Sequence, residues 1–570
     1  MNVEIEELRS ARPLDLIDAG DAWDEAAGNF TWYARKCADK VFRRVQESGW
    51  TGTAALWATA ELDRLEGALR VSSQELDAVG RVLRAAGEMF SFHQTRLRNL
   101  LAEAKEQNLT VYSDGSVRHP ELAEDERNDP DRRVWQQAQA QRAGDLAERI
   151  REVMADATHA DEEAARVIRR FTEQARRGAA GRFGTGIELA SANALTSTVL
   201  AELGMPGQNA PPAEVASWWA ALSPTLRTEL LTDHPAALGN RDGIPSAIRD
   251  RANRVNLTRL IAEYEARGHL SAADRKIFDG LKTIRKRLDD DAEKAPPPLL
   301  LGIGKEGQGR AVLAYGNPDV ADNIAAYVPG LNTGLDDIGG GDGTRAWNVA
   351  DTAHSVDNDH RTSAIVWLGY DAPQFEWTAD PGNWTTGSGN LAVMTDDRAV
   401  RGGTDFGQFL NGLHATHEGE SPHVTAIGHS YGSLTVGQAA QHGGGLPADD
   451  IVLVGSPGTG AESADRLGVG ADHVWVGSAR NDPVTHLPSP LEAVGGPLGA
   501  GVAHALDPRE IWFGQDPAGE EFGARRFSVA EGDVAHAHSN YFDRGGGGSL
   551  ENIANIVTGR YGSVSGDTPR

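Results

Sequence analysis

Residues His423 to Gly432, H-V-T-A-I-G-H-S-Y-G, make a short apolar run that passes through Gly-His-Ser-Tyr-Gly and continues into the helical pattern of Ser433 to Gln441. That order describes a strand turning sharply into a helix. Glycines at both ends of the pentapeptide are required, because a Cβ at either would collide with the crossing backbone. The turn is expected to lift the Ser430 hydroxyl to the top of a sheet, beside the positive N-terminus of the following helix. In a chain with 66 glycines the five letters alone would be weak. The strand before them and the helix after them give them their weight.

The surrounding sequence supplies such a sheet. Beyond Pro296-Pro-Pro-Leu-Leu-Leu301, short apolar runs alternate with helices and Gly-rich loops, at residues 310–315, 323–328, 363–368, 424–427, 451–454, 474–476 and 522–529. Strands alternating with helices predict an α/β fold with a mostly parallel sheet covered on both faces. A short amphipathic helix at 549–558 closes the pattern, and the polar tail over 561–570 reads as disordered.

The first part of the chain differs. From about residue 18 to 178 it reads as long helices, with Leu62, Leu69, Leu76, Leu83, Phe90 and Leu97 recurring every seven residues as a coiled-coil seam. A preceding helix carries Trp23, Ala27, Phe30, Ala34, Cys37, Val41 and Val45 at three- and four-residue steps. The loop between them, Ser48-Gly-Trp-Thr-Gly52, is short enough to force the two helices antiparallel. Asp114-Gly115 marks a small β-hairpin, and residues 187–295 read as a block of short helices. The expected organisation is a helical hairpin or bundle over 1–180, a helical linker block over 187–295 and an α/β domain over 300–560.

Composition removes whole classes of function. The 570 residues carry a formal charge of −27, which would repel a nucleic acid, and no basic stripe interleaved with aromatics is seen. No apolar run reaches the ~18 residues of a membrane span, and the acidic start lacks the features of a secretory signal. The single cysteine, Cys37, excludes an intrachain disulfide framework and reads as a small buried hydrophobe. His93 falls on the helical seam and is expected to be packed, and Gly302 to Gly307 imitates a dinucleotide fingerprint in the wrong context. His354 to His360 has metal-ligand residue types without a recognised spacing, so neither a cofactor nor a metal is expected.

A serine hydroxyl is a poor nucleophile at neutral pH and needs a histidine to take its proton and an acid to fix that histidine's tautomer. Asp482, in an Asn-Asp-Pro turn after the run at 474–476, is placed to be the acid; Asp472 precedes that run and would lie at the wrong edge. His536 and His538 follow the last predicted strand, and His538 is favoured because it precedes Ser-Asn-Tyr; His486 and His504 lie before that strand. The oxyanion donors are expected to be the backbone N–H groups of Tyr431 and of Leu331, in Val328-Pro-Gly-Leu-Asn-Thr333. Trp367, Tyr370, Phe375, Trp377 and Trp384 crowd one segment and could form an apolar acyl-binding rim, core packing being the other reading.

Two resemblances add to this. Trp218-Trp219, P-A-A-L-G-N-R-D-G-I-P at 235–245, R-D-R-A-N-R at 249–254, V-P-G-L-N-T, G-H-S-Y-G, A-R-N-D-P-V and H-S-N-Y-F together resemble the actinobacterial α/β-hydrolase family of unknown substrate. The resemblance covers about residues 210 to 560 and implies a serine hydrolase with Ser430, Asp482 and His538 as triad. Trp50 and Gly52 at the hairpin turn resemble the small helical proteins of type VII secretion, although that family's Tyr-x-x-x-Asp/Glu tag is absent after the second helix; Tyr315 and Asp319 have the spacing within a strand region. The expectation is an esterase or lipase-like enzyme acting on a small ester or lipid. It would be cytoplasmic or exported without a signal peptide, and the hairpin could bind a helical partner or a second copy. The alternative is a hydrolase-fold scaffold of little or no activity.

Overall fold

The computed structural model describes residues 3–119, 132–179, 205–206, 210–374, 396–442, 445–486, 510–511, 513–534, 536–545 and 548–568. The chain divides into two compact units, one formed by Met1–Gln208 with Trp218–Asp233 and the other by Asn209–Ser217 with His234–Arg570. Among the described residues no helix is long and apolar enough to cross a membrane.

The first unit is built on three long helices, α1 (Pro13–Lys36), α2 (Thr53–Glu106) and α3 (Arg132–Ala179). A π-helical stretch, Cys37–Phe42, continues α1 toward the turn. The antiparallel pairing of α1 and α2 is fixed by Ser73, whose hydroxyl donates to the Ala27 carbonyl at 2.8 Å, and by an ion pair of Arg84 with Asp24. The residues that α2 buries are mostly small or β-branched, Ala78, Val79, Val82, Ala85 and Ala86, whereas Leu62, Leu69, Leu76, Leu83 and Phe90 are half-buried. Close approach explains the difference: a Cβ on Gly20 would lie 2.7 Å from the Gly80 carbonyl, so the helices meet along glycine and alanine. His93 is buried there, and burial with the nearby Arg96 charge pushes its imidazole down to about 3.

The second unit holds an eight-stranded sheet. Its strands are β1 (Pro298–Gly304), β2 (Arg310–Tyr315), β3 (Asn323–Val328), β4 (Thr362–Leu368), β5 (His423–His429), β6 (Asp450–Val454), β7 (Val474–Gly477) and β8 (Arg525–Arg526), in the spatial order β8-β7-β6-β5-β3-β4-β2-β1. From β4 to β8 every pairing is parallel, and β1 and β2 add an antiparallel edge. β3, β4, β6 and β7 are buried along their whole length, as strands covered on both faces must be.

Three sequence expectations change here. The proline run beyond which strands are expected itself leads directly into β1, because proline is tolerated as the first residue of a strand. The last strand is two residues long rather than eight, since Gly523 turns the chain at φ 79. Residues 561–568 are tied down: Ser528 N–H donates to the Ser565 carbonyl at 2.8 Å, and Arg526 pairs with Asp567 at 2.6 Å.

The R-D-R-A-N-R segment lies on helix α4 (Ser246–Glu265), ahead of α5 (Ala272–Asp290), α6 (Gly341–Val356), α7 (Asp397–Thr416) and α8 (Tyr431–Gln441), and α4 closes the free edge of β1. Arg249 donates to the Leu301 carbonyl at 2.9 Å, Asn253 to that of Leu300 at 3.1 Å and Arg254 to that of Pro298 at 3.0 Å, while Asp250 accepts from the Leu300 N–H at 2.8 Å. Polar side chains thus occupy an edge that would otherwise invite another strand.

At the N-terminal ends of the strands, fully buried Asp450 accepts from His423, His473, Trp475 and Tyr561. The His423 Nδ1 faces the Val557 carbonyl at 2.9 Å and its Nε2 faces Asp450 at 2.8 Å, so both nitrogens meet acceptors and the imidazolium is favoured. Burial alone would lower this imidazole, but Asp450 outweighs it and raises it above its ordinary value. A histidine raised in the folded state contributes stability that is complete below about pH 6.5 and is lost as pH rises through the folded value. Melting temperature is therefore expected to fall as pH rises from about 6.5, and the slope to flatten in His423→Gln; parallel wild-type and variant curves would refute the assignment.

Candidate active site

Five strand ends meet at one edge of the sheet. Ser430 links β5 to helix α8 (Tyr431–Gln441) with φ 55 and ψ −130, a conformation that costs an L-residue roughly 1–3 kcal/mol. The local sequence forces it. A Cβ on Gly428 would lie 2.6 Å from Ser433 Cα, and one on Gly432 would lie 2.1 Å from the Val328 carbonyl, so only glycine fits either side of the serine. The Ser430 N–H donates to the Val454 carbonyl of β6 at 3.1 Å, and its own carbonyl accepts from the Ser433 N–H at 2.9 Å.

The loop after β3 brings Gly330 against the serine, where a Cβ would fall 3.1 Å from Ser430 Oγ. Leu331 follows, half-buried, and among the described residues its N–H has no hydrogen-bond partner. Tyr431, at the first position of α8, follows the serine directly.

Asp482 lies fully buried beyond β7, and His538 lies beyond β8. The His538 Nδ1 is 3.0 Å from both Asp482 carboxylate oxygens. An ionised carboxylate only accepts, so Nδ1 is the donor and carries a proton. Asp482 also accepts from the Tyr541 hydroxyl at 2.7 Å and from the Val484 N–H at 2.9 Å. Burial alone would raise its carboxyl, yet these bonds and the His538 charge hold it below the usual aspartate range. Gly455, at φ 57, clears the space, for a Cβ there would sit 2.9 Å from Asp482 Oδ2 and 3.0 Å from His538 Nδ1.

His536 turns outward and pairs with Asp533, so of the two neighbouring histidines it is His538 that meets the buried acid. Asp472 lies before β7 and pairs with Arg525, away from this edge. Among the described residues no hydrogen bond joins Ser430 to His538; the serine and histidine are linked instead through His429, the second residue of the pentapeptide. Its Nε2 donates to the His538 carbonyl at 2.7 Å, and the two rings lie 4.7 Å apart.

His429 is missing from any reading of spacing alone. Burial, then the His538 and Arg345 charges, pushes its imidazole well below the ordinary value, so it is neutral with a buried Nδ1 lone pair. Two side chains of helix α6 (Gly341–Val356) hold the same loop: Arg345 donates to the Ser539 carbonyl at 3.3 Å and Asn348 to that of Phe542 at 3.0 Å. Removing the His429 bond leaves a carbonyl unsatisfied, a cost of about 1–3 kcal/mol. His429→Phe is expected to lower kcat by ~10- to 100-fold with little change in KM; a kcat within twofold of wild type would show that the bond positions nothing.

Of the five aromatics weighed for a rim, the two described ones are packed. Trp367 and Tyr370 are interior, 2 % exposed each, and stack at 5.9 Å beneath Phe406 and Phe409. Trp367 lies on β4, both faces of which are covered, so packing claims it. Tyr370 reaches the Pro329 carbonyl at 3.4 Å and braces the loop after β3. Phe375, Trp377 and Trp384 lie outside the described residues, as do His504 and the side chain of His486.

The sheet, the strained serine and the buried acid–histidine pair define an α/β-hydrolase domain. The α/β-hydrolase family profile matches residues 305–493, a span that includes Ser430 and Asp482 and ends before His538. Uncharacterized protein Rv2079 of Mycobacterium tuberculosis is 30 % identical over 98 % of this chain and 88 % of its own length. Uncharacterized protein Mb0988c of Mycobacterium bovis is 31 % identical over 40 % of this chain and 82 % of its own. The chain belongs to the same family as Rv2079, its full-length mycobacterial relative, and it carries an α/β-hydrolase domain. A hyperthermophilic esterase from the archaeon Pyrobaculum calidifontis aligns over 60 % of this chain and 99 % of its own, at 12 % identity and a TM-score of 0.24.

Proposed function

We propose that residues 300–560 form a serine hydrolase that cleaves a carboxylic ester through an acyl-enzyme on Ser430. The observation that carries the reading is the meeting, at one sheet edge, of a serine strained at φ 55 with a histidine whose Nδ1 is held by a buried carboxylate. Nδ1 protonation leaves Nε2 free to act as a base. In acylation Ser430 Oγ attacks the ester carbonyl carbon while His538 Nε2 takes its proton. The carbonyl oxygen becomes an oxyanion against the Leu331 and Tyr431 N–H groups, at the positive end of α8. Collapse expels the alcohol, which takes the proton back from His538. Water then attacks the acyl carbonyl, giving its proton to His538, and the acid leaves as Ser430 regains its hydrogen.

Asp482 stays ionised throughout and stabilises the imidazolium that forms in each half-reaction. Turnover of p-nitrophenyl esters by wild type, with an acyl adduct trapped at acid pH, supports this chemistry. Turnover of a matched anilide at equal or greater rate would reassign the activity to an amidase; no turnover of any acyl substrate would leave a scaffold.

A further inference from the structure

Residues 564–568 run back along β8, the outermost strand on its side of the sheet. Gly566 and Phe527 form an antiparallel bridge, Ser528 N–H donates to the Ser565 carbonyl at 2.8 Å, and Asp567 N–H donates to that of Arg526 at 3.1 Å. The segment covers an edge that a two-residue strand would leave open. Arg526 points inward, its side chain 4 % exposed. Its Nη2 donates to Asp567 at 2.6 Å and to the Ser478 carbonyl at 3.2 Å, and its Nη1 donates to the Ala518 carbonyl at 3.4 Å. Among the described residues Asp567 is the one carboxylate paired with it. A guanidinium taken out of water needs that counter-charge to keep its place. Asp567 therefore fixes the position of Nη2, and Nη2 fixes the Ser478 carbonyl.

From Ser478 the constraint reaches Asp482 by two routes. The Ser478–Ala479 peptide is a rigid plane whose carbonyl Arg526 holds and whose N–H donates to the Tyr541 hydroxyl at 3.1 Å. That hydroxyl in turn donates to Asp482 Oδ2 at 2.7 Å, and the Ala479 carbonyl accepts from the Asp482 N–H at 3.2 Å. Backbone and carboxylate of Asp482 thus both depend on the plane that Arg526 holds, and His538 Nδ1 follows the carboxylate at 3.0 Å. We propose that Asp567, acting through Arg526, is a positioning residue for Asp482. The role given to Asp482 rests on the serine-hydrolase reading; the bonds do not. A tilt of the plane would displace the acid and the imidazole together, and catalysis is sensitive to displacements of about 1 Å. The neighbouring pair, Arg525 with Asp472 at 3.1 Å, is exposed and bonds neither Ser478 nor Ala479 among the described residues, so it serves as the control.

The test combines p-nitrophenyl ester turnover with hydrogen–deuterium exchange read by mass spectrometry, both on the full-length chain. Asp567→Ala is expected to lower kcat by ~10-fold with KM within about twofold of wild type. Exchange should speed up in peptides covering residues 476–482 and stay as in wild type over 423–429. Asp567→Glu restores the carboxylate and should recover at least about half of the wild-type kcat, and Asp472→Asn should leave kcat unchanged. In a Tyr541→Phe background the Ala479 N–H has already lost its acceptor, so Asp567→Ala should cost less than about threefold more. An Asp567→Ala kcat within about twofold of wild type, unchanged exchange over 476–482, a glutamate variant as slow as the alanine one, or full additivity with Tyr541→Phe would overturn the proposal. A wild type without ester turnover would overturn the serine-hydrolase reading instead, and exchange over 476–482 would then decide by itself whether Asp567 holds the loop of Asp482.

Discussion

Ser430→Ala is expected to lower the proposed ester turnover by roughly 10⁴- to 10⁶-fold, because loss of the proposed nucleophile would leave only binding and oxyanion stabilisation to act on the substrate. The alanine keeps the shape of the turn, so KM should change far less than kcat. A companion substitution separates chemistry from folding. Ser430 holds φ 55 and ψ −130, where a Cβ is strained by roughly 1–3 kcal/mol, and glycine takes that conformation at little cost. Ser430→Gly should therefore be as inactive as the alanine variant yet melt above it and above wild type, a stability gained by giving up the serine side chain while keeping the turn. A glycine variant that melts below wild type would mean that the turn is not strained. An alanine variant retaining more than a hundredth of wild-type kcat would place the nucleophile elsewhere.

Asp482→Asn is the second large effect, at about 10⁴-fold in kcat. The carboxylate now accepts from His538 Nδ1, the Tyr541 hydroxyl and the Val484 N–H, and it is fully buried. An asparagine of the same shape offers an N–H₂ where one of those donors points. Turned toward His538, it would bind an unprotonated Nδ1 and move the ring proton to Nε2, leaving no base for the serine. Thermal stability should fall by far less than activity, since volume is conserved. Tyr541→Phe removes one donor and keeps the tautomer, so it should cost ~10-fold or less in kcat. If Asp482→Asn and Tyr541→Phe lose the same activity, the carboxylate is a packing element and not the partner of a catalytic base.

Much of this edge is readable from residue order. G-H-S-Y-G announces its own turn because the glycine requirement is local, and the α/β alternation follows from apolar runs of strand length. Asp482 and His538 could be chosen because the chain order limits where an acid and a histidine can return to the serine. His429 could not. Its role depends on the β5 end meeting the His538 loop across 109 residues, a contact that no periodicity encodes. The signal was nonetheless present, a histidine where any residue would serve the turn.

The misread elements have equally physical causes. For Trp367 and Tyr370 a pocket rim and core packing both stayed open, because aromatic clustering along a chain does not say which face of a strand is covered. Strand β1 hid behind three prolines, and the R-D-R-A-N-R segment read only as part of a block of short helices. Only the sheet reveals that its side chains bond the β1 edge. The C-terminal tail has the composition of a loose end, but Tyr561 donates to buried Asp450 and Asp567 pairs with Arg526, so two specific contacts outweigh composition.

The most direct test is covalent. Wild-type protein treated with a fluorophosphonate and examined by intact mass and peptide mapping should carry one adduct, on the peptide containing Ser430, and Ser430→Ala should carry none. The phosphonyl group reacts only with a serine whose proton a positioned base removes. An unmodified wild type, or equal modification of wild type and Ser430→Ala, would contradict the account.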